Sequence, residues 1–85
     1  MATVTIRRPV PQTVTKFQAK AALMLDGSLQ AVEDLVAQSG ALVQLAWREA
    51  DFSRTSPMVN AMARQMGWDD AYLDDLFRRA ARIVV

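Results

Sequence analysis

Asp69, Asp70, Asp74 and Asp75 form the one cluster in this chain whose type and spacing bear on chemistry. Asp70 and Asp74 stand one helical turn apart, close enough to share a Mg²⁺ or Ca²⁺, although a dedicated hard-cation site also draws on loop oxygens. As a general acid and base, two carboxylates need surroundings that push their pKa values apart. The apolar positions interleaved with them, Leu73, Leu76, Phe77, Ala80 and Val84, fall on the other side of the same helix. The aspartates are therefore expected in water, as ordinary solvated surface. Cysteine and histidine are both absent, which removes thiolate sites, the commonest metal ligand and the commonest general base. Gly27, Gly40 and Gly67 are isolated, so no glycine-rich loop is available to cradle a phosphate. The expectation is a chain with no catalytic residue, no metal and no cofactor, and thus not an enzyme.

The basic residues suggest a different chemistry. Residues 57–82 have the outline of a helix-turn-helix, broken at Gly67, with Arg78, Arg79 and Arg82 as candidate contacts to DNA phosphates. A DNA-binding regulator is accordingly the alternative reading. Against it, the four aspartates crowd the first two turns of the helix that would enter the groove, where phosphates repel carboxylates. The net charge is only +1, and nucleic acid is not the expected partner. Arg7, Arg8, Lys16 and Lys20 make the first twenty residues basic, while Asp26, Glu33, Asp34, Glu49 and Asp51 make the middle acidic. Four dispersed cations fall short of an interaction arm and read as a solvated tail.

The elements that must position these side chains are legible from caps and periodicity. At 85 residues and 52% hydrophobic, the chain is one domain with a thin core, burying about 60–65% of the surface of its unfolded form. Thr15 with Gln18 is a capping box that opens a first helix, closed by Asp26-Gly27. Its expected core face is Phe17, Ala21, Met24 and Leu25. Ser28 is placed to cap a second helix presenting Leu29, Val32, Leu35 and Val36. After Ser39-Gly40, a third helix carries Leu42, Val43, Ala46, Trp47 and Ala50 inward, and Phe52, Ser53 and Arg54 lead out. Ser56-Pro57 starts a fourth helix with Val59, Met62, Ala63 and Met66 aligned, and Asp69 caps a fifth. On that last helix Asp74 with Arg78, and Asp75 with Arg79, are expected as pairs four residues apart. The fold class is all-α: a compact bundle of about five short helices over residues 15–85, preceded by an extended leader, residues 1–14. No apolar run reaches the roughly 18 residues of a membrane span, so no membrane is expected.

Two groups are candidate partner-binding residues. In the leader, Val4 and Ile6 belong to a β-branched stretch, Thr3 to Ile6, with no second strand foreseen to pair with it; it would be disordered, lie over the helices or extend the sheet edge of a partner. Met58, Met62 and Met66 recur every four residues with Trp68 just beyond. Such a stripe serves either as core filling or as an adaptable groove.

The run from Ala46 to Pro57 (Ala-Trp-Arg-Glu-Ala-Asp-Phe-Ser-Arg-Thr-Ser-Pro) resembles small helical proteins encoded among the tail genes of phages and prophages. It continues through Met62-Ala63, Met66-Gly67, Leu73-Asp74-Asp75-Leu76-Phe77 and Ala80-Ala81-Arg82-Ile83. The approach from Val10 to Leu23 is similar too, so the resemblance spans about Val10 to Ile83. Its motifs are specific as a combination. Where relatives place Thr and a Gln or Glu to box the last helix, this chain has Asp69 and Tyr72; the cap survives and its reciprocal half is lost. The resemblance implies a non-enzymatic structural or assembly role in a bacteriophage tail, with other phage tail proteins as partners; apart from the resemblance, a homo-oligomer is a further candidate assembly. The resemblance also implies residence in the cytoplasm of a bacterial host or in the virion tail, and it assigns no catalytic residues.

Overall fold

Thr15 opens the first helix as its residue type requires: the Gln18 backbone N–H donates to Thr15 Oγ1 (3.1 Å), and the Thr15 N–H donates to Gln18 Oε1 (3.0 Å). In the computed structural model, which describes residues 9–84, this capping box begins α1 (Lys16–Asp26). There follow α2 (Leu29–Ala37), α3 (Ala41–Glu49), α4 (Pro57–Met66) and α5 (Asp70–Ala81). The all-α class and the five helices are as the sequence indicates. Gly27 and Gly67 close α1 and α4 in the left-handed conformation, φ 83° and 77°, where any Cβ is strained. Ser56 caps α4 and Asp69 caps α5, accepting from the Tyr72 N–H at 2.8 Å. Ser28 departs from its expected role. Its hydroxyl makes no cap and donates instead to Asp26 Oδ2 (2.5 Å).

Two residues on either side of the first three helices form a short antiparallel ladder. β1 (Thr13–Val14) pairs with β2 (Phe52–Ser53), Val14 opposite Phe52, and the Arg54 N–H donates to the Gln12 carbonyl (2.9 Å). Phe52 and Ser53 are therefore a strand and not merely a lead-out. Val14 and Phe52 are both buried, and Val10 packs against the core, so packing begins upstream of Thr15. The stretch Thr3 to Ile6, with the candidate contacts Val4 and Ile6, lies outside the described residues.

The core takes Val32 and Val36 from α2, Trp47 from α3, Ala63 from α4, and Leu73, Leu76, Phe77 and Ala80 from α5. Trp47 and Phe52 meet with ring centroids 5.4 Å apart, a tilted contact of the favourable kind. The α1 assignment is corrected. Phe17, Met24 and Leu25 are 53%, 61% and 76% exposed, and the buried face is Ala22 and Leu23 with Ala19 beside them. Both faces have helical period, so period alone does not choose between them. Small residues let α1 lie close against α5, its main neighbour, and two polar anchors share that side. Gln18 Nε2 donates to the Ile83 carbonyl (3.0 Å), and Asp26 receives Arg79 (3.0 Å). On α3, Leu42 is 79% exposed and Ala50 also lies outside, contrary to expectation. Val84 follows the end of α5 and is exposed, while Ile83 packs in its place. No helix among the described residues is long and apolar enough to cross a membrane.

Candidate functional site

Arg54 leaves β2 pointing at the start of α5, and this determines what the aspartates do. Its Nε donates to Asp74 Oδ1 at 2.6 Å, its Nη2 lies 3.3 Å from Asp70 Oδ1, and its Nη1 donates to Asn60 Oδ1 at 3.0 Å. Asn60 in turn donates through Nδ2 to the Arg54 and Ser56 carbonyls, both at 2.9 Å. The Arg54 side chain is only 14% exposed. The two carboxylates that might have shared a divalent cation thus share a guanidinium, whose planar fork suits two acceptors at once. Among the described residues no group of three or more acidic side chains could hold a metal. Asp74 spends its charge on Arg54 across the fold, where the sequence suggested Arg78. Asp75 pairs with Arg79 at 2.9 Å as expected.

A second polar cluster, unforeseen in the sequence, joins the α1–α2 corner to α5. Asp26, 11% exposed, accepts from Ser28 Oγ (2.5 Å), Tyr72 Oη (2.5 Å) and Arg79 Nη1 (3.0 Å). Tyr72 stacks on Trp68, centroids 5.2 Å apart, and Arg79 stands over its ring. The hydrogen bond from Ser28, then that from Tyr72, then the hydrogen bond and charge of Arg79 hold the Asp26 carboxyl below the usual carboxylate range, with burial opposing them. Its hydrogen bond to Asp26 raises the Tyr72 phenol above its ordinary value. Burial works against the charge of Arg79, but the Asp26 hydrogen bond and the carboxylates of Asp75 and Asp26 outweigh it and raise its pKa. Both shifts follow from the contacts that join the α1–α2 corner to α5. The cluster works as a clamp. Its sequence signal was an Asp two residues before a Ser at a helix corner, which reads locally as a turn and gives no hint of a partner 53 positions away.

These contacts also locate the candidate DNA-phosphate residues. Arg79 is engaged with Asp26 and Asp75, Arg78 is half-buried, and Arg82, just past α5, is exposed. The inward side of α5 is filled by Leu73, Leu76, Phe77 and Ala80, and Asp69 and Asp70 stand exposed at its N-terminal end.

Met58, Met62, Met66 and Trp68 are half-buried and pack against the core, and Met58 also borders a groove along α3. Met62 and Trp68 also border an apolar cavity of about 70 Å³. A shallow groove of about 290 Å³ runs along α3 between Leu42, Val43, Ala46 and Met58. The exposed apolar surface is concentrated on α1 and α3. Of the seven large hydrophobic residues exposed among the described residues, Phe17, Met24, Leu25, Leu42 and Leu45 sit on α1 and α3, two helices that pack on each other. Comparison with family models, with curated proteins and with solved structures finds no match.

Proposed function

We propose that the chain is a non-enzymatic interaction module of bacteriophage or prophage tail assembly, as its resemblance to small tail-encoded helical proteins implies. The observation that carries this reading is the outward apolar face of α1 and α3. A helix apolar on one side buries that side in its own domain, whereas one apolar on two opposite sides needs a second body. The polar groups support the same reading, because the arginines and carboxylates with tertiary contacts are engaged in holding helices together.

The test is co-expression with phage tail structural proteins and purification in high salt. A complex held by apolar contacts survives there, because screening weakens only its charged rim. Tight retention of random duplex DNA at low ionic strength, falling steeply as salt rises, would overturn the proposal and favour the helix-turn-helix alternative through Arg78, Arg79 and Arg82.

A further inference from the structure

The apolar face of α1 and α3 has a direction as well as a composition. The Lys16 N–H donates to Asp51 Oδ1 (3.2 Å), and Lys20 lies over the Trp47 ring at 5.0 Å. The start of α1 therefore adjoins the end of α3, and the two helices run antiparallel. Each turns large apolar residues away from the core: Phe17, Met24 and Leu25 on α1, Leu42 and Leu45 on α3.

We propose that this face is covered by a second copy of the chain, in a two-fold pair that lays each α1 along the partner's α3 to make an antiparallel four-helix layer. In a two-fold contact every patch must meet its complement on the same surface, and this face carries both halves. With α1 antiparallel to the partner's α3, Met24 and Leu25 near the end of one helix come level with Leu42 near the start of the other, and Phe17 comes level with the end of α3 beyond Leu45. Charge agrees with the same pairing. With the axis parallel to the helices, Lys16 at the start of α1 comes to the end of the partner's α3, where Glu49 is exposed. The area is sufficient: five large side chains, half to four-fifths exposed, offer on the order of 500 Å² per copy. A symmetric pair then buries about 1,000 Å², the lower bound for a specific interface.

The proposal deepens the interaction-module reading and rests on it in taking the face as a binding surface. Sedimentation equilibrium of the full chain, from about 5 to about 500 μM, brackets the weak association an interface of this size supports. A monomer–dimer equilibrium is expected. Met24→Glu and Leu42→Glu change exposed positions, so helicity should stay at the parent level while the dissociation constant rises at least about tenfold. Lys16→Glu and Glu49→Lys should each weaken self-association, and mixing the two variants should restore it, because the mixed pair regains both opposite-charge contacts. A monomer at the top of the range overturns the proposal. So does a dimer indifferent to Met24→Glu and Leu42→Glu, or a mixture no tighter than its components. Self-association that appears only after removal of residues 1–8 also overturns it, since the chain's own N-terminal segment would then be the occupant. A monomer that still co-purifies with tail proteins removes the pair and leaves the module; a dimer that retains DNA does the reverse.

Discussion

Helix α5 and helix α1 pack against each other, yet they divide polar from apolar in opposite ways. α5 sends Leu73, Leu76, Phe77 and Ala80 inward and leaves Asp70 and Asp75 in water. α1 is apolar on both sides and carries its few charges on the flanks, as Lys16 and Lys20. The first arrangement is complete within one chain. The second turns Phe17, Met24 and Leu25 outward, opposite the Ala19, Ala22 and Leu23 side that packs on the core.

The contrast is broken most easily by truncation at matched positions. Phe77→Ala removes a buried ring from α5 and is expected to cost about 3–5 kcal/mol, enough to leave the domain largely unfolded in a urea titration. A loss below about 1 kcal/mol would show that α5 is not the backbone of the core. Next in size is Arg54→Ala, which strands Asp74 half-buried without its partner and is expected to cost about 1–3 kcal/mol by the same titration. Arg54→Lys should recover only part of this, since a compact ammonium lacks the planar fork whose separate nitrogens reach Asp74, Asn60 and Asp70.

Asp26 sharpens the comparison through pH. Its folded pKa is depressed, so its contribution is present above the unfolded value, near 4, and is lost as acid carries the pH down through the folded value. Thermal melts should therefore fall below about pH 4 in the parent and fall less in Asp26→Asn, which starts roughly 1–2 kcal/mol weaker at neutral pH. The smallest effect belongs to Phe17→Ser. At a half-exposed position whose side chain takes no part in the Thr15–Gln18 cap or in an ion pair, its cost should stay within about 0.5 kcal/mol, whereas its counterpart on α5 is the costliest change of all.

How much of this was legible follows from which signals are local. Thr15 with Gln18, Ser56 with Pro57, and Gly67 with Asp69 each act within a few residues, and each helix end appears where they place it. The α5 face was legible because its aspartates leave only one apolar stripe. The α1 face was not. Phe17, Met24 and Leu25 make as good a stripe as Ala19, Ala22 and Leu23, and larger side chains draw the eye although smaller ones allow the closer approach to α5. The Arg54 and Asp26 clusters were illegible for a different reason. Each depends on residues 16 to 53 positions apart in the chain, and nothing in an isolated Asp or Arg names its partner. Of the candidate site residues, the methionines and Trp68 are half-buried against the core, and the large exposed side chains include Phe17, Met24, Leu25 and Leu42, which were assigned to the interior.

The brief ladder between Val14 and Phe52 has a kinetic consequence. It fastens together two points separated by roughly forty residues, and closing so long a span costs entropy that two backbone pairs alone do not recover. The hasp should therefore shut only after the three helices it encloses have collapsed, and open only when they come apart. Deuterium uptake at the Arg54 amide, which donates to Gln12, would then keep time with that whole enclosure and not with fraying at the ends of the ladder.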